Sequence, residues 1–146
     1  MVKINPYLTF NGNSEEVFNF YKSVFGGEFA MLQRFKDMPT KEGCAEMSAD
    51  DKEKIMHVAL PISDGHVLMA SDVFGEQAEK FESGNNIALS ISADSKEEAD
   101  KIFNGLANGG TVKMPLTDTF WGAYFGMCKD KFDIQWMVNY DYPQHK

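Results

Sequence analysis

Asn5-Pro6-Tyr7-Leu8-Thr9-Phe10 returns at a shift of 81 as Asn86-Ile87-Ala88-Leu89-Ser90-Ile91. The first copy is rich in β-forming residues and places Asn5, Tyr7 and Thr9 on one face, with Pro6, Leu8 and Phe10 on the other. Each copy is followed by a helix start, Asn13-Ser14-Glu15-Glu16 and then Ser95-Lys96-Glu97-Glu98, related by a shift of 82. Each helix ends on a double glycine, Gly26-Gly27 and Gly109-Gly110, related by 83. A drift of one residue per element marks a duplicated module.

Asn13 stands three residues before Glu16 at the spacing of a capping box, and Val17, Phe18, Phe20, Tyr21, Val24 and Phe25 follow at helical intervals. Glycine suits the left-handed conformation that closes a helix, so both glycine pairs read as C-caps; a nucleotide-cradling loop would precede its helix. Glu28 to Phe35 reads as a strand. Asp37 to Lys54 is long, polar and weakly patterned, and is left open between a binding loop and disorder. Ile55 to Ile62 and His66 to Val73 are strands around Ser63-Asp64-Gly65, a strong hairpin signal. Phe74 to Gly84 links the copies. The second copy runs as a strand at Asn86 to Ser92, then a helix with Ala99, Ile102, Phe103 and Leu106 on one face. Strands follow near Thr111 to Leu116, Phe120 to Cys128 and Ile134 to Tyr142, with Asp130 to Asp133 as the last turn. The expected class is α+β, with βαβββ written twice in modules 1–76 and 83–146 of a single domain.

A chain of 146 residues buries about 70% of its unfolded surface. Cys44 and Cys128 are isolated, without a CxxC pair, and read as reduced, structural thiols. No apolar leader precedes the first strand, no stretch approaches a membrane span, and the expected location is the cytoplasm. The formal charge of −8 disfavours nucleic acid and anionic membranes as partners.

The layout resembles the vicinal oxygen chelate superfamily, which includes glyoxalase I, bleomycin-resistance proteins and extradiol dioxygenases, and within it the PhnB-like branch. The segments that carry the resemblance are Pro6-Tyr7-Leu8-Thr9-Phe10, Phe20-Tyr21, Phe25-Gly26-Gly27, Met56-His57, Leu68-Met69-Ala70-Ser71-Asp72, Phe120-Trp121-Gly122, Tyr124-Phe125-Gly126 and Gln135-Trp136-Met137. Lys131-Phe132-Asp133 departs from it, because relatives usually carry a glycine in that turn. The resemblance implies two modules whose curved mixed sheet encloses a shared cleft, and commonly a homodimer. It also implies metal positions on the first and last strands of each module, which fall here on Asn5, Met69, Asn86 and Gln135. Three amides and a thioether are poor ligands for a catalytic divalent ion, so no metal and no cofactor is expected. A register slip of one residue would substitute Tyr7 or Ser71.

Among the three histidines, His66 lies at the hairpin turn and His145 in the C-terminal tail. Counting outward from a two-residue Asp64-Gly65 turn sets His57 across from Asp72, where a carboxylate could orient the imidazole. The same count turns this pair toward the helix layer if Met69 and Ser71 face the cleft, which favours a structural ion pair over catalysis unless a β-bulge intervenes. The aromatic cluster Phe120, Trp121, Tyr124 and Phe125 reads either as core or as a stacking wall, with Met69 and Met137 as soft lining. The leading expectation is a metal-free protein that binds an uncharged or cationic small molecule through Asn5, Tyr7, Met69, Ser71, Asn86, Trp121, Tyr124, Gln135 and Met137. The alternatives are a glyoxalase-like lyase or isomerase, an acid–base enzyme using His57 and Asp72, and a structural dimer. Methyl transfer, a frequent label for PhnB-like proteins, has no glycine-rich cofactor loop to support it.

Overall fold

In β1 (Tyr7–Phe10) the alternation survives folding, with Phe10 buried and Tyr7 half exposed. The computed structural model describes residues 2–37 and 47–143. From β1 the chain passes through α1 (Ser14–Phe25), β2 (Met31–Arg34), a 3-10 turn at Phe35–Asp37, α2 (Ala49–Glu53), β3 (Ile55–Ser63) and β4 (His66–Asp72). A short α3 (Glu76–Glu79) precedes β5 (Leu89–Ser92), α4 (Lys96–Ala107), β6 (Thr111–Asp118), β7 (Ala123–Lys129) and β8 (Gln135–Asp141). The tandem βαβββ order is present. Cys44, His145 and residues 38–46 of the expected loop lie outside the described residues.

Two compact units, Met1–Glu82 and Ser83–Lys146, make up the chain. Each contains one four-stranded mixed sheet, ordered β1-β4-β3-β2 in the first and β5-β8-β7-β6 in the second. The opening strand of each unit pairs in parallel with the last, and the other pairings are antiparallel. Parallel neighbours need a long crossover, and the intervening helix and hairpin supply it. Among the described residues no helix is long and apolar enough to cross a membrane.

The two long helices, α1 and α4, each cover one face of the sheet in their own unit. Val17, Phe18 and Tyr21 of α1 are fully buried, as are Val58, Leu60, Leu68 and Ala70 of the first sheet. In the second unit, Ala99, Ile102, Phe103 and Leu106 line the inner side of α4, as their spacing predicts, while Trp136, Val138 and Cys128 are buried in the sheet. Each large side chain buried this way contributes about 1.5–3 kcal/mol. Gly126 is a point of close approach, since an added Cβ would stand 3.0 Å from the Phe103 ring. Both double glycines follow helices. Gly26 closes α1 at φ 81°, its N–H bonded to the Lys22 carbonyl at 2.8 Å. Gly110 is required by space, because a Cβ there would overlap the Lys129 carbonyl oxygen.

The start of α1 differs from the expected capping box. Asn13 makes no side-chain cap bond. Asp72, at the end of β4, supplies the cap instead: its Oδ1 accepts from the backbone N–H of Gly12 at 3.2 Å and of Ser14 at 2.9 Å, and from the Ser14 hydroxyl at 2.7 Å. Its Oδ2 accepts from the N–H of Ile55 at 2.9 Å. A carboxylate at a helix start also meets the positive end of the helix dipole. The second unit has a comparable buried carboxylate. Asp130 accepts from the N–H groups of Phe132 at 2.8 Å and Ile134 at 3.1 Å, and from the Trp136 indole at 2.8 Å. That turn places Asp133 at φ 72°, the left-handed position that glycine fills most easily.

The expected pairing of His57 with Asp72 is corrected by a bulge. Ser63 pairs with His66, but Pro61 pairs with Val67, so Ile62 is an extra residue in β3. Val58 then faces Ala70, and the next pair outward matches His57 with Ser71. Pro61 cannot donate to the ladder from a central strand, and a bulge is where such a proline is tolerated. A second irregularity between Gln33 and Arg34 leaves Met56 as the extra residue of β3 against β2 and returns Ile55 to the core.

Replacing Asp72 by alanine strands four donors, those of Ser14 and Ile55 buried and that of Gly12 part-buried. A loss of about 3 kcal/mol or more is expected from urea unfolding, with Asp72→Asn, which keeps one carbonyl oxygen, losing less.

Candidate functional site

With the bulge in place, the sheet of the first unit presents two side-chain rows on the face opposite α1. Tyr7, Met69, Ala59 and Met31 follow one another through the paired strands. Thr9, Ser71, His57 and Gln33 form the next row. The first row is mostly apolar and the second polar. The Tyr7 hydroxyl crosses between them to His57 Nδ1 at 3.3 Å, and the two rings are tilted with centroids 5.7 Å apart. Of the residues expected from sequence, Tyr7, Met69, Ser71 and His57 therefore share a face. Asp72 does not; it is buried and holds backbone donors, which removes the His57–Asp72 pair both as an ion pair and as a catalytic dyad.

In the second unit the face opposite α4 carries Ser90, Met137, Met127 and Met114 in one row. Ser92, Asn139, Phe125 and Thr117 form another. Tyr124 leaves the expected site. It has the parity of Gly126 and Cys128, its hydroxyl donates to Asp100 of α4 at 2.6 Å, and the Lys96 ammonium lies 4.8 Å from its ring centre. The bond to Asp100, with burial and negative charge adding to it, pushes the Tyr124 phenol up to about 12. Phe125, not Tyr124, is the ring of this hairpin that turns to the Met137 face. Trp121 lies beyond it in the β6–β7 connection, edge-on to Phe120 at 4.9 Å and 6.2 Å from Phe125. Phe120 is 98% exposed and Trp121 56%.

The two ladders align the modules. Thr9 pairs with Ser71 and Ser90 with Met137, so Met69 and Gln135, each two residues earlier, are equivalent. Asn5 and Asn86 precede β1 and β5 and are half-buried and exposed respectively. Gln135 is already engaged: its Nε2 donates to the Ile87 carbonyl at 2.8 Å, and its Oε1 accepts from the Lys113 ammonium at 3.3 Å. The only atom of Gln135 able to ligate a cation thus faces a cation. Among the described residues no three of His, Cys, Asp and Glu come together as a metal-binding group. Amides, a thioether and a neighbouring ammonium do not fit a catalytic divalent ion. Cys128 offers no reactive alternative, because burial and the nearby Asp130 push its thiol up to about 11.

Sequence reasoning missed Gln33, Thr117 and Asn139 as members of these faces. Thr117 finds Phe125 only across the two irregularities within β6, and Gln33, paired with His57, joins the row of Ser71 only through the bulge beside Pro61, whereas Asn139 pairs with Phe125 and Ser92 in unbroken ladders.

The Glyoxalase/Bleomycin resistance protein/Dioxygenase superfamily model matches residues 3–138. Protein YjdN of Escherichia coli K12 is 28% identical over 141 residues, covering 93% of each chain. Protein PA1353 from Pseudomonas aeruginosa has a similar structure, with a TM-score of 0.80, 41% identity and coverage of 97% of this chain and 98% of that one. A PhnB protein from Bacillus cereus, described as a candidate 3-demethylubiquinone-9 3-methyltransferase, has a TM-score of 0.72 and 25% identity, covering 95% and 99%.

The Tyr124–Asp100 bond predicts an alkaline transition. Folding favours the neutral phenol, so the stabilisation is complete below the ordinary value of 10.0 and is lost as pH rises through about 12. Ultraviolet titration should show one tyrosine of the native protein ionising near 12, and Asp100→Asn should bring it down toward the ordinary range.

Proposed function

Because the chain belongs to the glyoxalase/bleomycin resistance/dioxygenase superfamily, we propose that it binds a small uncharged or cationic organic molecule without a resident metal ion. The observation that carries this reading is the state of Gln135. At a strand position where the superfamily resemblance puts a ligand, its amide is shared between a backbone carbonyl and Lys113. A ligand would rest on the sheet face opposite α1, where Tyr7, Met69, Ser71 and His57 combine apolar area with a few polar groups, the usual make-up of small-molecule sites. In the second unit, taken by itself, Met137 and Phe125 give the face opposite α4 a largely apolar character. Asn5, Asn86, Trp121 and Gln135 stand at the margins of those faces, and Tyr124 is withdrawn from them. The formal charge of −8 favours neutral or cationic ligands and disfavours nucleic acid and anionic membranes. On the same reading the protein acts in the cytoplasm, as a homodimer of the kind common in the superfamily.

Acid–base catalysis is the second reading, and the observation that favours it is the Tyr7–His57 bond on a solvent-accessible face. Methyl transfer finds less support. Both glycine pairs lie after helices, at the φ values and close approaches of chain reversal, and neither forms the strand-to-helix loop that cradles a nucleotide-like cofactor.

Protein purified without chelator should contain far less than one equivalent of zinc, nickel, manganese or iron by elemental analysis. Its binding of neutral aromatic and amine compounds in a thermal-shift screen should be unchanged by EDTA. Stoichiometric metal whose removal abolishes binding would overturn the reading.

A further inference from the structure

We infer that His57 presents a hydrogen-bond donor, Nε2–H, on the face opposite α1, and that the ligand favoured there is an uncharged compound carrying a carbonyl oxygen on an apolar body. The inference rests on the small-molecule-binding reading above and assigns the chemistry of its polar contact.

The direction of the Tyr7–His57 bond decides which nitrogen keeps the proton. In a neutral imidazole one nitrogen donates and the other accepts. A phenol is a better donor than an imidazole N–H, and the bare imidazole nitrogen is a better acceptor than a phenol oxygen. Tyr7 therefore donates to Nδ1 across the 3.3 Å contact, and the ring proton resides on Nε2. Among the described residues Nε2 has no hydrogen-bond partner. The bulge at Ile62 puts this ring in the row between Ser71 and Gln33, beside the apolar row that holds Tyr7 and Met69. A ligand lying along Tyr7 and Met69 would bring one polar edge to His57. That edge has to accept a hydrogen bond, which excludes an ammonium group. An anion meets the net charge of −8, whereas a carbonyl oxygen accepts without carrying charge.

Two probes of similar shape separate the donor from mere apolar uptake: acetophenone, which has the oxygen, and cumene, which lacks it. Nitrogen NMR of the imidazole should show His57 protonated at Nε2 and bare at Nδ1, with Nε2 shifting as acetophenone is added. His57→Leu should weaken acetophenone roughly fivefold, the worth of one ordinary hydrogen bond, and leave cumene unweakened. His57→Gln, which places an amide N–H near the position of Nε2, should recover much of the loss. Tyr7→Phe keeps the ring and should mix the tautomers. Protonation at Nδ1, or equal losses for the two compounds in His57→Leu, would overturn the donor assignment while leaving the binding reading intact. Failure of both compounds to bind the wild-type protein would overturn the inference and count against the reading.

Discussion

A single carboxylate fastens the first unit together. Asp72 ends β4, and its two oxygens take four donors from two other segments, the turn entering α1 and the first residue of β3. A strand–helix–hairpin unit whose first and last strands run parallel has to return its chain across the sheet, and the joints of that return are where backbone N–H groups would otherwise be left unpaired. Asp72 satisfies them at one place and takes up the helix dipole there. Asp130 does similar work in the second unit, where it organises the final turn and holds the Trp136 indole beneath it. Both carboxylates are almost fully buried, so each is matched with several donors, as a charge removed from water must be.

Occupying Asp72 in this way decides what His57 is able to do. An imidazole paired with a buried carboxylate would belong to the core. With the carboxylate committed elsewhere and the strand reset by one residue at Ile62, the imidazole lies on the other side of the sheet, with Tyr7 as its partner. The structural element and the chemical one are thus separated by a sheet one residue thick.

Much of the fold was legible because its signals are periodic. The repeat, the helical faces of Val17-Phe18-Tyr21 and Ala99-Ile102-Phe103-Leu106, the Asp64-Gly65 hairpin and the closing glycines all come from local spacing, and burial follows them. The site was less legible because it depends on parity across strands. A register counted from a turn fails at the first inserted residue, and the warning, Pro61 within an internal strand, is chemical and not periodic. Tyr124 and Phe125 are adjacent and both aromatic, so only the pairing of β7 with β8 and the bond to Asp100 distinguish the one that serves the helix from the one that faces away. The capping box at Asn13 had the right spacing, yet a buried carboxylate from a distant strand displaced it.

The Lys113–Gln135 contact narrows the evolutionary routes open to this chain. Exchanging Gln135 for glutamate, the obvious single-codon step toward an ion-binding residue, would first create a surface salt bridge with Lys113, since the ammonium already lies 3.3 Å from the side-chain oxygen. The ammonium would compete with an ion for that carboxylate, and Met69, its counterpart in the other module, would still offer only sulfur. A metal site built on these positions therefore needs more than one substitution, which favours retaining the present surface.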